Sequence, residues 1–103
     1  MTYQVMAALA DPMRQEILEK LRAGPRPVGE IAAGMAISRP AVSQHLRVLR
    51  EARLVNEQRQ GTKRVYRLDP SGLIQLRAYF DGFWQRAMAD FKDSADGSEG
   101  DQR

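Results

Sequence analysis

The sequence contains no cysteine and only one histidine, His45. The absence of cysteine excludes disulfide bonds, thiolate metal ligands and thiol redox chemistry, and it suits a reducing compartment. Long hydrophobic runs are also absent. No stretch approaches the ~20 apolar residues of a membrane span, and the N-terminal MTYQVMAALA lacks the pattern of a secretion signal. We therefore expect a cytoplasmic protein with no membrane association.

Groups for enzyme chemistry are equally scarce. The chain has no glycine-rich phosphate loop and no pair of carboxylates beside a plausible base. With one histidine and no thiol, nucleophilic and general acid-base mechanisms have no candidate constellation. We expect neither a catalytic site nor a cofactor.

Charge is distributed unevenly along the 103 residues, a length that suits one small domain. The net charge is +3, but residues 39–67 carry eight Lys or Arg against two Glu, a local charge of +6 between acidic ends. A basic patch of this kind is typical of a surface that meets a polyanion such as nucleic acid. The alternative interpretation is a solvated charged face.

Hydrophobic periodicity and helix breakers predict a mainly α domain with a small β-hairpin. The first helix ends near Ala10, and Asp11 caps a second helix that Gly24, Pro25 and Pro27 end. Further helices are expected over residues 28–35, 39–53 and 71–92, with Ser71 as the last cap. Strands at 55–59 and 63–68 flank the turn Gln60-Gly61-Thr62, with Tyr66 and Leu68 directed to the core. The domain covers residues 1–92, and the acidic, apolar-poor residues 93–103 are expected to be disordered.

The helix over residues 39–53 has two distinct sides. One is apolar, with Ala41, Val42, Leu46, Val48, Leu49 and Ala52, and the other is polar, with Arg39, Pro40, Ser43, Gln44 and Arg47. Such a helix fits the major groove, where Arg binds guanine, Gln binds adenine, Ser bonds either, and an apolar ring meets the thymine methyl. Taken alone, the polar side is more typical of a solvent-facing helix surface.

The residues upstream favour the DNA-reading interpretation. Ile31 and Ala32 lie in a short helix, and the turn Ala36-Ile37-Ser38 leads directly into the next helix. This is the spacing of a helix-turn-helix motif, with Ala36 where such turns often have glycine. The predicted hairpin then adds a wing whose basic residues Arg59, Lys63, Arg64 and Arg67 are placed to touch phosphates or a minor groove. The predicted fold is a winged helix-turn-helix.

Three runs, ALADPMRQEILEKL, VGEIAAGMAISRPAVSQHLRVLREARLV and GTKRVYRLD, together resemble the ArsR/SmtB family of winged-helix transcriptional repressors over about residues 5–92. The resemblance implies a homodimer joined through the first and last helices that binds a palindromic operator and represses its own operon. It places the recognition helix in the major groove and the hairpin tip beside the minor groove. The DNA-binding residues expected on this basis are Ser38, Arg39, Pro40, Ser43, Gln44, His45, Arg47, Arg59, Lys63 and Arg64.

The metal-sensing motifs of that family are missing here. The stretch PVGEIAAGM has no cysteine, and the last helix has no histidine. A transition-metal site would need carboxylates and His45 alone, a poor ligand set for zinc or copper, so we expect no metal site. The sequence does not identify a small-molecule effector.

Two further sites allow two interpretations each. His45 falls within the apolar arc of its helix, so it is either a partly buried, internally bonded histidine or a phosphate contact. Arg14 and Glu16 lie either on a solvated face or in a binding site, and we expect the solvated face.

The last helix concentrates large apolar residues in an arc of about 140°: Leu73, Leu76, Phe80, Phe83, Trp84, Ala87, Met88 and Phe91. This exceeds what one small subunit readily covers, which favours a dimer interface over ordinary core packing. The expected interface is Tyr3, Met6, Leu76, Phe80, Phe83, Trp84, Ala87, Met88 and Phe91. Gly82 would permit a close helix crossing there. A rival to DNA binding is a winged-helix module for protein contact, which predicts a neutral or acidic recognition face.

Overall fold

The computed structural model describes residues 2–101, with side-chain environments for residues 2–95. Five helices and three short strands follow one another in the order α1 (Thr2–Leu9), α2 (Pro12–Leu21), β1 (Arg26–Pro27), α3 (Val28–Ala33), α4 (Arg39–Glu51), β2 (Val55–Gln60), β3 (Lys63–Leu68) and α5 (Pro70–Asp101). The predicted class, mainly helical with a β-hairpin, is confirmed.

The sheet has one strand more than the sequence predicts. Its order is β1-β3-β2, and β1 pairs antiparallel with β3 through Arg26 opposite Tyr66 and Pro27 opposite Val65. Pro27 is more than the helix breaker predicted from the sequence, because an edge strand tolerates a residue without an N–H donor. In the hairpin, Gln60 pairs with Lys63, so the turn has two residues instead of three.

Helix α2 begins as predicted, whereas the expected cap of α5 is wrong. Oδ1 of Asp11 accepts from the N–H groups of Met13 at 2.7 Å and Arg14 at 3.2 Å. At α5 the cap is Asp69, not Ser71: its Oδ1 accepts from the Ser71 N–H at 3.0 Å and the Ser71 hydroxyl at 2.7 Å. The same dipeptide, Asp-Pro, therefore starts both helices, since proline suits the first helical position and aspartate the cap.

Two helix ends also differ from expectation. Helix α3 stops at Ala33, and α5 continues past Lys92 to Asp101 because no proline interrupts residues 71–101. The helix end predicted near Lys92 is thus wrong, while disorder of the tail in solution stays a prediction, with residues 102–103 outside the described residues. Ala36 has no positive φ, since Arg53 is the only non-glycine residue with one in the described chain. The turn before α4 therefore needs no glycine.

The core lies where α4 crosses the other helices and the sheet. Val42, Leu46 and Leu49 of α4 are fully buried, together with Val5, Ile17, Ile31, Leu54 and Val55. Tyr66 is buried and Leu68 packs against the same cluster, as predicted. Val48, expected on the apolar side, is instead 37% exposed. Because three turns of α4 are anchored in this way, its opposite side is held facing outward.

A compact junction joins the end of α4 to the start of α5. Arg53 has φ 61°, and the Leu54 N–H donates to the Leu49 carbonyl at 2.9 Å, which closes α4 with a left-handed cap. The Gly72 N–H then donates to the Arg53 carbonyl at 2.8 Å. A Cβ on Gly72 would lie 2.5 Å from that carbonyl oxygen, so only glycine fits. The orientation of α5 relative to α4 is thereby fixed through backbone contacts.

Candidate nucleic-acid interface

Helix α4 presents an uninterrupted exposed polar side. Ser38 caps it by accepting from the Ala41 N–H at 3.2 Å, and Pro40 occupies its first turn. All the residues predicted from the sequence to bind DNA in this region are exposed except His45: Ser38, Arg39, Pro40, Ser43, Gln44 and Arg47. The helix therefore offers one basic, hydrogen-bonding edge along its N-terminal two-thirds.

A groove of about 440 Å³ runs between this edge and the hairpin. Four arginines line it, Arg39, Arg47, Arg50 and Arg64, together with Ser43, Gln44 and Tyr66. A second groove of about 470 Å³ lies on the other side of Arg39, between the start of α3 and the hairpin turn with Lys63 and Arg64. Arg39 and Arg64 border both grooves. The recognition helix and the wing thus form one continuous basic surface, which we call the reading surface.

The wing carries its basic residues near the turn. Arg59 and Arg64 pair across the two strands, Lys63 lies next to the turn, and all three side chains are exposed. Arg67 lies further along β3, opposite Asn56, where it is half-buried and donates to Oε1 of Gln58. The structure therefore brings Arg59, Lys63 and Arg64 together at the tip and leaves Arg67 apart from them.

Glu57 lies beneath the reading surface and was not recognised from the sequence. Its Oε1 accepts from Nη1 of Arg50 at 3.2 Å, and its Oε2 accepts from the Tyr66 hydroxyl at 2.8 Å and lies 3.5 Å from Nη1 of Arg64. Burial of the Tyr66 hydroxyl, the hydrogen bond to Glu57 and the charge of Glu57 raise the pKa of Tyr66 above its ordinary value of 10.0. The only sequence signal was alternation on β2, which places Glu57 opposite Tyr66.

His45 is bonded within the domain through one of its two ring nitrogens. The ring is half-buried, and its Nδ1 lies 3.3 Å from Nη1 of Arg14. Arg14 always donates, so Nδ1 is the acceptor and the neutral ring carries its proton on Nε2. His45 thus belongs to the contact between α2 and α4.

Arg14 does not lie on a solvated face, so that prediction was wrong. Its side chain is 18% exposed, and its Nε donates to the Ala8 carbonyl at 2.7 Å and its Nη2 to the Ala7 carbonyl at 3.3 Å. Carbonyls in the last turn of a helix lack intrahelical partners, and an arginine at the start of the next helix supplies donors. Glu16, paired with it in the prediction, is half-buried.

Asp11 completes this contact. Desolvation raises the pKa of Asp11, but the N–H donors of Arg14 and Met13 and the positive charge of Arg14 lower it, and the resulting pKa is below the ordinary value of 3.8. Oδ2 of Asp11 lies 3.9 Å from Nη1 of Arg14. The carboxylate therefore caps α2 and balances the charge at the base of the recognition helix.

Helix α5 exposes most of its apolar residues. Phe80, Phe83, Trp84, Met88 and Phe91 are 51%, 58%, 64%, 41% and 68% exposed, and only Leu76 packs partly against the core. Of the other expected interface residues, Ala87 is exposed, Met6 is half-buried and Tyr3 is 81% exposed. Tyr79, which the prediction omitted, stacks edge-to-face on Phe83 with ring centroids 4.9 Å apart. Nothing lies within 4 Å of a Cβ built on Gly82.

Metal-ligand groups do not converge in residues 2–95, where no three His, Asp or Glu side chains are arranged to hold an ion. Within the same described part of the chain, no helix is both long and apolar enough to cross a membrane.

Comparison with known proteins agrees with this geometry. A family model described as bacterial regulatory protein, arsR family, matches residues 11–57, from the cap of α2 into β2. The HTH-type transcriptional regulator Rv2034 of Mycobacterium tuberculosis is 54% identical over 94 residues, which cover 91% of this chain and 87% of that protein.

Solved structures share the fold. A possible transcriptional regulator for arsenical resistance superposes with a TM-score of 0.72 at 46% identity, covering 84% of this chain and 95% of that one. The homodimeric winged helix-turn-helix DNA-binding domain of Mb0332 from Mycobacterium bovis, a possible ArsR-family regulator, has a TM-score of 0.66 at 29% identity, covering 84% and 80%. This chain therefore has the winged helix-turn-helix fold and belongs to the ArsR family of bacterial regulatory proteins.

Proposed function

We propose that the chain is a homodimeric, sequence-specific transcriptional repressor of the cytoplasm that binds a palindromic operator and does not respond to metal. The observation that carries the proposal is the reading surface: an anchored helix exposes Arg39, Ser43 and Gln44 beside a groove with four arginines. Such a surface combines base readout with phosphate binding. The positive charge argues against a module used only for protein contact.

Base readout is assigned to the N-terminal half of α4, which goes deepest into a major groove. Arg39 is suited to guanine O6 and N7, Gln44 to adenine N6 and N7, and Ser43 to either base, while the Pro40 ring can meet a thymine methyl. Arg47 lies one turn beyond Ser43 and reaches the flanking edge. Ser38 keeps its capping role, and we assign it to the DNA backbone because its side chain is exposed.

Phosphate binding is assigned to the wing and to His45. Arg59, Lys63 and Arg64 at the hairpin tip are exposed and reach phosphates or the minor groove. The proton on Nε2 of His45 is available to a phosphate, because Nδ1 is occupied by Arg14. These contacts hold the duplex and carry little sequence information.

The dimer is assigned to the apolar face of α5 together with Tyr3 and Met6 of α1. Support comes from the exposure of Phe80, Trp84 and Phe91 in the single chain and from the open space above Gly82. The Mb0332 domain is described as homodimeric, in agreement with such an arrangement. A two-fold dimer implies half-sites centred about 34–36 Å apart on the duplex.

The test is a footprint of the purified protein on the DNA that flanks its own gene. We expect protection of two symmetric half-sites by two chains, with affinity that falls steeply as salt rises. Binding with no preference over random duplex, or no binding at low salt, would overturn the proposal.

Metal independence is tested on the same DNA. Zinc, cadmium or arsenite at micromolar concentration should leave affinity unchanged, since neither thiolates nor a cluster of carboxylates and histidine exists in residues 2–95. A tenfold loss that a chelator reverses would contradict this part of the proposal.

A further inference from the structure

One carboxylate, that of Glu57, binds two arginines of the reading surface. Arg50 comes from the last turn of α4 and Arg64 from the wing, and both line the groove beside Ser43 and Gln44. Among the residues whose side chains are described, Glu57 is the only carboxylate within 4.0 Å of two arginines. A single acidic side chain therefore links the two elements that face the proposed DNA.

Glu57 is held more firmly than Glu51, the acidic partner of Arg47. Its side chain is 22% exposed and is fixed by the Tyr66 hydroxyl, whose ring is buried in the core. The pair between Arg47 and Glu51 is instead 64% and 56% exposed, with atoms 3.6 Å apart. A partly buried, hydrogen-bonded carboxylate is screened less by salt and loses less freedom when it pairs.

We propose that Glu57 is an internal competitor for DNA phosphate, a carboxylate that engages Arg50 and Arg64 where phosphate oxygens would otherwise bind and so limits the affinity of the reading surface for any duplex. The inference rests on the proposed DNA-binding function and adds an affinity-limiting residue to it. Carboxylate and phosphate oxygens accept hydrogen bonds from the same guanidinium donors, so a DNA phosphate can take the place of the Glu57 carboxylate.

The competition acts on the phosphate contacts and not on the base contacts. Arg39, Ser43 and Gln44 have no contact with Glu57 among the hydrogen bonds and ion pairs of the described chain. Removing the charge of Glu57 should therefore tighten operator and random DNA by the same factor. It should also add phosphate contacts, which steepens the dependence of affinity on salt.

The test is Glu57→Gln, which removes the charge and keeps an acceptor for the Tyr66 hydroxyl. We expect affinity for operator and for a random duplex to rise together by about three- to tenfold at 0.1 M salt, and the slope of log affinity against log salt to steepen by up to about four units per dimer, one for each arginine released. Glu57→Asp, whose shorter side chain withdraws the charge from both arginines, should give a smaller rise.

The matched control is Glu19→Gln. Glu19 pairs with Arg22 at 3.1 Å and lines neither groove, so this variant makes the same change in net charge away from the reading surface. We expect a rise of less than about twofold. The gain from Glu57→Gln should also disappear in the triple variant with Arg50→Ala and Arg64→Ala, since these side chains supply the new contacts.

Two results would overturn the inference. An equal rise in Glu19→Gln would reduce the effect to net charge, and weaker binding in a folded Glu57→Gln or Glu57→Asp protein would make Glu57 a positioning residue for the arginines. The proposed function fails separately, when the wild-type protein itself shows no preference for its operator.

Discussion

The reading surface and the apolar face of α5 are both exposed, but they are exposed in different ways. On the reading surface, Arg47, Arg50 and Arg64 pair with carboxylates of the same chain, and Ser38 bonds to the backbone of its own helix. On α5, Phe80, Trp84 and Phe91 are more than half exposed. Hydration stabilises exposed charged side chains, whereas it does not stabilise a large contiguous aromatic surface.

This difference indicates which surface is complete within one chain. The reading surface needs no second copy to fix its side chains, since α4 is buried along Val42, Leu46 and Leu49. The apolar face of α5 leaves apolar surface in contact with solvent, and a small domain buries only a modest share of its surface on folding. Substitutions on the two surfaces should therefore have different effects. Those on the reading surface should weaken binding to DNA, and those on the apolar face of α5 should dissociate the dimer.

Trp84→Ala is expected to have the largest effect. Trp84 is 64% exposed in the single chain, so truncation should spare the fold but weaken association by about 3–5 kcal/mol, as at the centre of an interface. Sedimentation equilibrium should show monomers, and operator binding should be lost with the dimer.

Ile74→Ala is the matched control for Trp84→Ala. Ile74 is equally exposed at 64% but lies outside the apolar arc of α5, so its truncation should leave the dimer intact. Equal dissociation by both variants, or a wild type that is monomeric at micromolar concentration, would contradict the assigned interface.

Gly72→Ala tests the junction that connects the two surfaces. The added Cβ would lie 2.5 Å from the Arg53 carbonyl oxygen and 2.7 Å from that of Ala52, so the backbone must shift. We expect a loss of about 2–3 kcal/mol in the free energy of unfolding, measured with urea. Gly29→Ala is the control, because its Cβ would meet Arg39 Nη1 at an ordinary 3.8 Å. Equal urea midpoints for the two variants would show that the junction tolerates a side chain.

Gln44→Ala and Lys63→Ala distinguish base recognition from phosphate binding on the reading surface. Gln44→Ala should lose about 1–3 kcal/mol on the operator and little on random DNA, because one bidentate base contact disappears. Lys63→Ala should weaken both duplexes alike and flatten the salt slope by about two units per dimer. The measurement is affinity for both DNAs across a salt series. Equal loss on both by Gln44→Ala would mean that α4 holds DNA without reading it.

Structural features that depend on interactions within one element were predicted from the local sequence pattern. The Asp11 cap, the two sides of α4 and the inward direction of Tyr66 follow from spacing within one element, and the structure confirms them. The same reasoning missed Asp69, although Asp69-Pro70 repeats the dipeptide of Asp11-Pro12, because Ser71 offered a competing cap.

Contacts between distant residues were beyond the reach of these patterns. Strand β1 has two residues, one of them proline, and exists only because β3 pairs with it. Arg14 reaches His45, 31 residues away, and Gly72 meets the Arg53 carbonyl because the start of α5 lies against the turn that follows α4. Such contacts leave no periodic pattern in the sequence from which they could be predicted. The contact of Glu57 with its two arginines was not predicted for the same reason, since the three residues lie on three different elements, β2, α4 and β3.

Asp69→Ala is the smallest effect that we predict, and it tests how the cap of α5 depends on pH. Hydrogen bonds from the Ser71 N–H and hydroxyl lower the pKa of Asp69 below its ordinary value of 3.8. A carboxyl with a lower pKa in the folded state stabilises the protein above pH 3.8 and loses that contribution as pH falls through the folded-state value.

Because the carboxyl is partly exposed, we expect the variant to lose about 1 kcal/mol at pH 7. Urea unfolding of both proteins should show this difference shrinking as pH falls below 3.8. Asp81→Ala, which breaks an exposed pair with Arg77 at 3.9 Å, should cost less than about 0.5 kcal/mol. A difference for Asp69→Ala that stays constant down to pH 3 would show that the ionised carboxylate does not cap α5, and that the junction between the two surfaces is held by the Gly72 contact alone.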